Sequence, residues 1–255
     1  MSTSSATIPV SDPDALAAAV AALGRPLLVG LDVDGVLAPI VGHADEAVLL
    51  PGVLDAVTAL AARTPVAIVS GRTLQDLERF AFPGNLEVVG THGLERRDRP
   101  IVELSPEEQA AYAQLATLVT DAATRAGDGA WVEVKPAGLV LHVREAPAAS
   151  AAVAVDELRE QVERVPGAHV KSGKSVVEVL ARSTSKAVAV LALQREQGAA
   201  AVAFIGDDRT DEEVFAALGP ADLGVRVGPG DTAASRRLAD PPAVLAFLRS
   251  LTARL

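Results

Sequence analysis

Cysteine is absent from the 255 residues, which excludes a disulfide scaffold and any zinc site or nucleophile built on a thiolate. That absence assigns no compartment. Aromatic residues make up only 3%, so a core must be assembled from Val, Leu, Ile and Ala. Long apolar runs are missing too: Ala15–Leu23 falls far short of the ~20 residues a membrane helix needs. Met1–Ile8 is rich in Ser and Thr, with neither the basic start nor the apolar stretch of a signal peptide. A soluble cytoplasmic protein with no membrane partner is therefore expected. Basic residues number 23 against 33 acidic ones, a formal net charge of −10, and they are scattered. Nucleic-acid binding needs a clustered basic surface, so no such partner is expected. At 49% hydrophobic and 22% charged residues, the chain reads as globular, with room for one large domain or two small ones.

Short runs of Val, Leu and Ile alternate with helical stretches, the rhythm of a parallel sheet with crossover helices. Leu27–Leu31 reads as a buried central strand ending at Asp32, Val66–Val69 as a second ending at Ser70, and Leu86–Val89 as a third. Gly52–Arg63 lies between the first two as a helix. The pattern then changes. Ser105-Pro106-Glu107-Glu108 opens a helix with a capping box. Ala130–Lys135 and Leu139–Arg144 form an expected hairpin, and a helix over Ala151–Arg164 precedes one strand-like stretch, Val170–Leu180. From Lys186 the first rhythm returns, with a strand at Ala201–Ile205, a last short strand at Gly224–Val227, and a C-terminal helix. The fold class is α/β: a parallel-sheet, Rossmann-like core domain with a small inserted α+β domain. The expected boundaries are 1–99, 100–174 and 175–255.

Polar clusters stand just past three of these strands and at a helix start: Asp32-Val33-Asp34-Gly35, Ser70-Gly71-Arg72, Gly206 through Asp211, and Lys186. Ligands bind at that edge of open α/β sheets. Buried strands ending in acids are costly unless a cation neutralises them, so converging carboxylates imply a hard divalent ion, Mg²⁺. Mg²⁺ beside Ser and Lys suits phosphate chemistry. Asp32 is then placed to attack phosphorus and form an aspartyl-phosphate. Asp34, two residues on, is placed to protonate the leaving oxygen and later activate water.

These residues resemble a family. Leu31-Asp32-Val33-Asp34-Gly35-Val36-Leu37 resembles DxDGxL, the first signature of the haloacid-dehalogenase-like phosphohydrolases. Ser70, Lys186 and Gly206-Asp207-Asp208 follow in the order of the second, third and fourth signatures. Within that superfamily, the runs Asp34 to Ile40, Ser70 to Arg72, His92 to Glu95, Trp131 to Lys135, Leu141 to Arg144 and Gly206 to Glu212 are similar to the trehalose-6-phosphate phosphatases. The resemblance covers Leu27 to Leu248.

It implies an enzyme, a phosphoric monoester hydrolase acting on trehalose 6-phosphate, with Asp32 as nucleophile, Asp34 as general acid/base, and Ser70 and Lys186 holding phosphate. The implied metal set is the Asp32 carboxylate, the Asp34 carbonyl and Asp207, with Asp208 and Asp211 near or outside it. The inserted domain would be the family's mobile cap. Glu133, Lys135, His142, Arg144 and Glu178 are its matching sugar-binding positions, with Gly71, Arg72 and His92 added from the core. One departure stands out: Ala187 follows Lys186 where the family usually has Gly.

Blander readings compete at several positions. Ser70 also reads as the N-cap of a helix over Thr73–Phe80, and Asp208 and Asp211 as acids favouring a helix dipole. Alternation alone would make Glu133, Lys135, His142 and Arg144 the solvated face of a hairpin. Trp131 is expected to pack into the interior of the inserted domain, while His43 and His169 are expected on the surface. Lys171 and Lys174 are weaker rivals of Lys186. A monomer is the expected state. The alternatives to the leading function are a related capped phosphatase for another sugar phosphate and a non-catalytic sugar-phosphate-binding regulatory module.

Overall fold

Asp12 accepts from the amides of Asp14 and Ala15, and Pro13 takes the first helical position, so helix α1 (Pro13–Ala21) starts there. The first part continues with β1 (Leu27–Leu31), α2 (Val53–Ala61), β2 (Val66–Val69), α3 (Leu74–Glu78), β3 (Glu87–Gly90) and β4 (Glu95–Arg96). Next come α4 (Pro106–Ala126), β5 (Trp131–Lys135), β6 (Gly138–His142), α5 (Ala148–Val162), β7 (His169–Gly173) and β8 (Val176–Leu180). The chain ends with α6 (Lys186–Glu196), β9 (Ala201–Gly206), α7 (Arg209–Ala217), β10 (Leu223–Val227), β11 (Arg236–Leu238) and α8 (Pro241–Arg254). This computed structural model describes residues 8–42, 44–99, 104–173, 175–183 and 185–255; His43 and Lys174 lie outside them.

Two units divide the chain: Met1–Pro100 with Ser185–Leu255, and Ile101–Thr184. The first holds a seven-stranded sheet in the order β11-β10-β9-β1-β2-β3-β4, parallel except for the antiparallel β3–β4 pair. Leu27, Val29 and Leu31 join Ala201, Ala203 and Ile205 in a core shared with α1, α2 and α8. Leu28, Val202 and Phe204 point the other way, into a core shared with α6 and α7. Cover on both faces is why these strands read as continuous apolar runs. Gly30 is the exception in β1, because the ring of its register partner Phe204 takes the space: a Cβ there would stand 2.6 Å from Phe204 Cδ2. Placing β9, β1 and β2 side by side brings the segments after all three strands to one edge.

Strands β4 and β11 go unseen in the sequence, being two and three residues long and too short for a period-2 pattern. Gly224–Val227 is therefore not the last strand.

The second unit is an antiparallel sheet in the order β5-β6-β8-β7. Leu139, Leu141, Val177 and Val179 on one face pack with Leu115 and Val119 of α4 and with Leu158 and Val162 of α5. The Ser105–Glu108 capping box and Pro106 start α4 as expected, and Gly127 stops it. Val170–Leu180 is two strands, not one stretch: Gly173 pairs with Val176, and Ser175 turns the chain at φ 63°. The boundary expected near residue 174 falls inside this hairpin, since β8 hydrogen-bonds to β6 and β7. Strand β6 ends at His142, so Arg144 lies in an exposed turn outside the alternation.

Candidate active site

Asp32, Ser70 and Asp207 each follow a strand directly, at the carboxyl ends of β1, β2 and β9. Lys186 is the first residue of α6, behind the N-cap Ser185. Its Nζ lies 2.9 Å from Asp32 Oδ2 and 2.8 Å from Asp211 Oδ1. All three groups are buried, Asp211 completely. The other oxygen of Asp211 accepts from the amides of Asp207 at 2.9 Å and Asp208 at 3.0 Å. Asp211 thus spends its carboxylate on the lysine and on the turn between β9 and α7. Asp208 stands at the N-cap of α7.

Oxygens of Asp32, Asp207 and Asp211 lie within 4.8 Å of one another, a set that could hold a metal ion. Asp208 is not in that set. Burial pushes the Asp32 carboxyl well above the usual carboxylate range, with Lys186 opposing and Asp211 and Asp207 adding to the rise. Burial, followed by the charges of Asp211 and Asp208, pushes Asp207 up to about 7. Burial also works against the Lys186 charge, but Asp32 and Asp211 outweigh it and raise its pKa. One lysine among three close carboxylates leaves negative charge over, so the donor set suits a hard cation with oxygen ligands. Asp207 borders a mainly apolar cleft of about 490 Å³ with Gly35 and Pro229, which gives this acid a solvent-facing side that Asp211 lacks.

Gly35 turns the chain at φ 74° between Asp34 and Val36. Asp34 itself is pinned by Arg72, whose Nε donates to Oδ2 at 2.7 Å and Nη2 to Oδ1 at 2.8 Å. Ser70 is buried, and its Oγ accepts from the Arg72 amide at 3.2 Å. It does not cap α3; Thr73 does, accepting from the Asp76 amide. The His92 ring packs against Gly71, where a Cβ would stand 2.5 Å from its Cε1. His92 and its neighbour Thr91 both adopt positive φ. The Thr91 hydroxyl donates to buried Glu95, which also accepts from the Leu74 amide. Neither Thr91 nor Glu95 carries a local sequence signal of this contact, although Glu95 closes the His92–Glu95 run. Ala187, the second residue of α6, packs into the core with Val190 and Phe215, so the departure at that position leaves Lys186 in place.

In the second unit, register and strand period put Trp131, Glu133, Lys135, Val140, His142, Lys171 and Glu178 on the sheet face opposite the helices. Lys135 Nζ donates to Glu178 Oε1 at 3.2 Å, both side chains being buried. His142 Nε2 lies 2.9 Å from Glu133 Oε2. Trp131 is not interior as expected. It is 54% exposed and stacks on the His142 ring at 3.8 Å between centroids, because its strand parity puts it on the polar face of the edge strand β5. Lys171 pairs across strands with Glu178 in this unit, whereas Lys186 stands in the acid cluster of the other. Among the described residues, no helix is long and apolar enough to cross a membrane.

The family model described as trehalose-phosphatase matches residues 30–241. The chain belongs to that family. It is 35% identical to the trehalose-6-phosphate phosphatase of Escherichia coli K12 over 237 residues, covering 88% of this chain and 86% of that one. Among solved structures, it is 27% identical to an Aspergillus fumigatus trehalose-6-phosphate phosphatase, with a TM-score of 0.69 over 96% of this chain and 99% of that one. The C-terminal domain of the C. albicans trehalose-6-phosphate phosphatase shares the fold at a TM-score of 0.78 and 22% identity, covering 98% and 99% of the two chains. Membership of the trehalose-phosphatase family makes the chain a phosphoric monoester hydrolase, with the core-and-insert α/β fold that its sequence led one to expect.

Proposed function

We propose that this protein hydrolyses trehalose 6-phosphate to trehalose and phosphate, through an aspartyl-phosphate on Asp32 and with Mg²⁺ as cofactor. The observation that carries the reading is the buried Lys186 bridging Asp32 and Asp211 beside Asp207, at the carboxyl edge of the parallel sheet. A carboxylate approaches a phosphate only where cations offset both charges. Lys186 supplies one. Asp32 and Asp207, with the Asp34 carbonyl, would hold the Mg²⁺, which supplies charge neutralisation at the phosphoryl oxygens. Asp211 fixes Lys186 and the Asp207–Asp208 turn.

In the first step an Asp32 oxygen attacks phosphorus and the bond to the sugar oxygen breaks. The electron pair leaves on that oxygen, which takes a proton from the Asp34 carboxyl. In the second step water attacks the same phosphorus and gives its proton to the Asp34 carboxylate, and Asp32 is released. The Ser70 hydroxyl and Lys186 hold the phosphoryl oxygens throughout, with Gly71 and His92 alongside. Sugar recognition falls to the polar sheet face of the inserted unit. Its carboxylates accept from sugar hydroxyls, and Lys135 and His142 donate.

Phosphate release should be measured for trehalose 6-phosphate, sucrose 6-phosphate, glucose 6-phosphate and p-nitrophenyl phosphate, with Mg²⁺ and again with EDTA. Metal-dependent turnover led by trehalose 6-phosphate is expected, along with its loss in Asp32→Asn. Turnover led by another sugar would overturn the substrate, and substantial turnover in Asp32→Asn would overturn the nucleophile. Binding of trehalose 6-phosphate without phosphate release would make the protein a binding module instead.

A further inference from the structure

Arg72 is held at every part of its length. Its amide donates to Ser70 Oγ at 3.2 Å, and its carbonyl accepts from the Thr91 amide at 2.7 Å. Its guanidinium carbon lies 5.5 Å from the centroid of the Phe80 ring, which supports the group from one face. The side chain is 9% exposed and ends in a two-pronged contact with Asp34, at 2.7 and 2.8 Å. The Asp34 side chain, at 39% exposed, still opens to solvent. Both Asp34 oxygens are therefore fixed in one plane by a rigid fork whose own position is set by packing.

We propose that Arg72 is the positioning residue for Asp34, not a phosphate ligand. The assignment rests on the reading of Asp34 as the acid that protonates the leaving oxygen. As the phosphorus–oxygen bond to the sugar breaks, the proton passes to the departing oxygen from an Asp34 oxygen, on the lone pair that the Arg72 fork leaves free, while Arg72 itself contacts neither the phosphorus nor the departing oxygen. A carboxyl swinging freely about its side-chain torsions would spend little time within reach of that oxygen, and orientation of this kind carries large rate factors. The fork removes that freedom. Family resemblance had placed Arg72 among the substrate contacts, yet Nε and Nη2, the pair that could grip a phosphate side-on, are committed to Asp34.

Leaving-group dependence separates the two roles. The sugar alkoxide cannot leave without a proton, whereas p-nitrophenolate can. With Mg²⁺ present, Arg72→Ala should lower kcat/KM for trehalose 6-phosphate by about 10²-fold and for p-nitrophenyl phosphate by less than about 3-fold. Equal losses on both esters would make Arg72 a phosphate ligand and overturn the proposal. If Arg72→Ala melts below the assay temperature, Arg72→Lys carries the test: it keeps the charge, loses the fork, and should shift the ratio of the two substrates by roughly 10-fold. A wild-type ratio there overturns the fork. The same ratio in Asp34→Asn tests the underlying reading. If it is unchanged, Asp34 is not the acid and the proposal falls with it. If it shifts in Asp34→Asn but not in the Arg72 variants, the Arg72 assignment alone is wrong.

Discussion

The Asp207 carboxylate rests against the α-carbon of Gly35: a Cβ at Gly35 would stand 2.0 Å from Asp207 Oδ2 and 2.3 Å from Cγ. Gly35 also sits at φ 74°, where any other residue is strained by about 1–2 kcal/mol. Gly35→Ala should therefore fold, with a Tm lowered by about 2–8 °C, and, on the proposal that Asp207 holds Mg²⁺, its Tm should rise less than the parent's when Mg²⁺ is added. Thermal melts with and without Mg²⁺ check both parts. Retention of the Mg²⁺-dependent shift would mean that Asp207 is free to move away.

Lys186 is 2% exposed between two buried carboxylates. Removing it leaves those charges without their cation, a loss of about 3–5 kcal/mol for buried pairs. Urea unfolding of Lys186→Met should show a loss of that size, together with no measurable phosphatase activity. A variant as stable as the parent would mean that water or a metal ion already screens Asp32 and Asp211.

Glu108 ties the start of α4 to the segment after β8, because Arg182 bonds both of its carboxylate oxygens. The hydrogen bond to Arg182, ahead of the bond from the Ser105 amide, holds the Glu108 carboxyl at about 2, against an ordinary value of 4.5. A depressed carboxyl stabilises the fold fully above pH 4.5 and loses that contribution as pH falls toward 2. Glu108→Gln should thus be less stable than the parent at pH 7, and the gap should close between pH 4.5 and 2. A gap that stayed constant across that window would point to lost packing and not to charge.

Lys135 and Glu178 form a buried pair on the polar sheet face. Buried groups arranged for hydroxyls discriminate strongly between substrates that carry them and substrates that do not. Glu178→Gln and Glu133→Ala should each lower kcat/KM for trehalose 6-phosphate at least about 10-fold more than for p-nitrophenyl phosphate. Trp131, the chain's single tryptophan, lies on the same face. Its fluorescence should change on titration with trehalose, and a silent titration would remove this face from sugar binding.

Much of the candidate site's edge was legible in the residues themselves. A buried apolar strand that ends in a carboxylate is costly unless that charge meets a cation or a cap, and Leu27–Leu31 followed by Asp32 marked the strand that stands at this edge. The Ser105-Pro106-Glu107-Glu108 run set a helix start through local hydrogen bonds alone, and it stands where the sequence put it. Short elements were invisible for the opposite reason: β4 and β11 are defined by the strands they pair with, not by any pattern of their own. Which acids meet was also a tertiary matter. Asp208 and Asp211 are equivalent by composition, yet only Asp211 turns inward to bond Lys186 and two backbone amides. Trp131 shows the same limit. Its apolar ring suggested an interior position, but strand parity, fixed by register with His142, set it on the face opposite the helices, at an exposed position of the edge strand β5. Local chemistry decides where a strand or helix begins and which groups need a counter-charge. Only the packing of distant segments decides which partner supplies it, because that pairing depends on sheet order and register, which no single stretch of chain encodes.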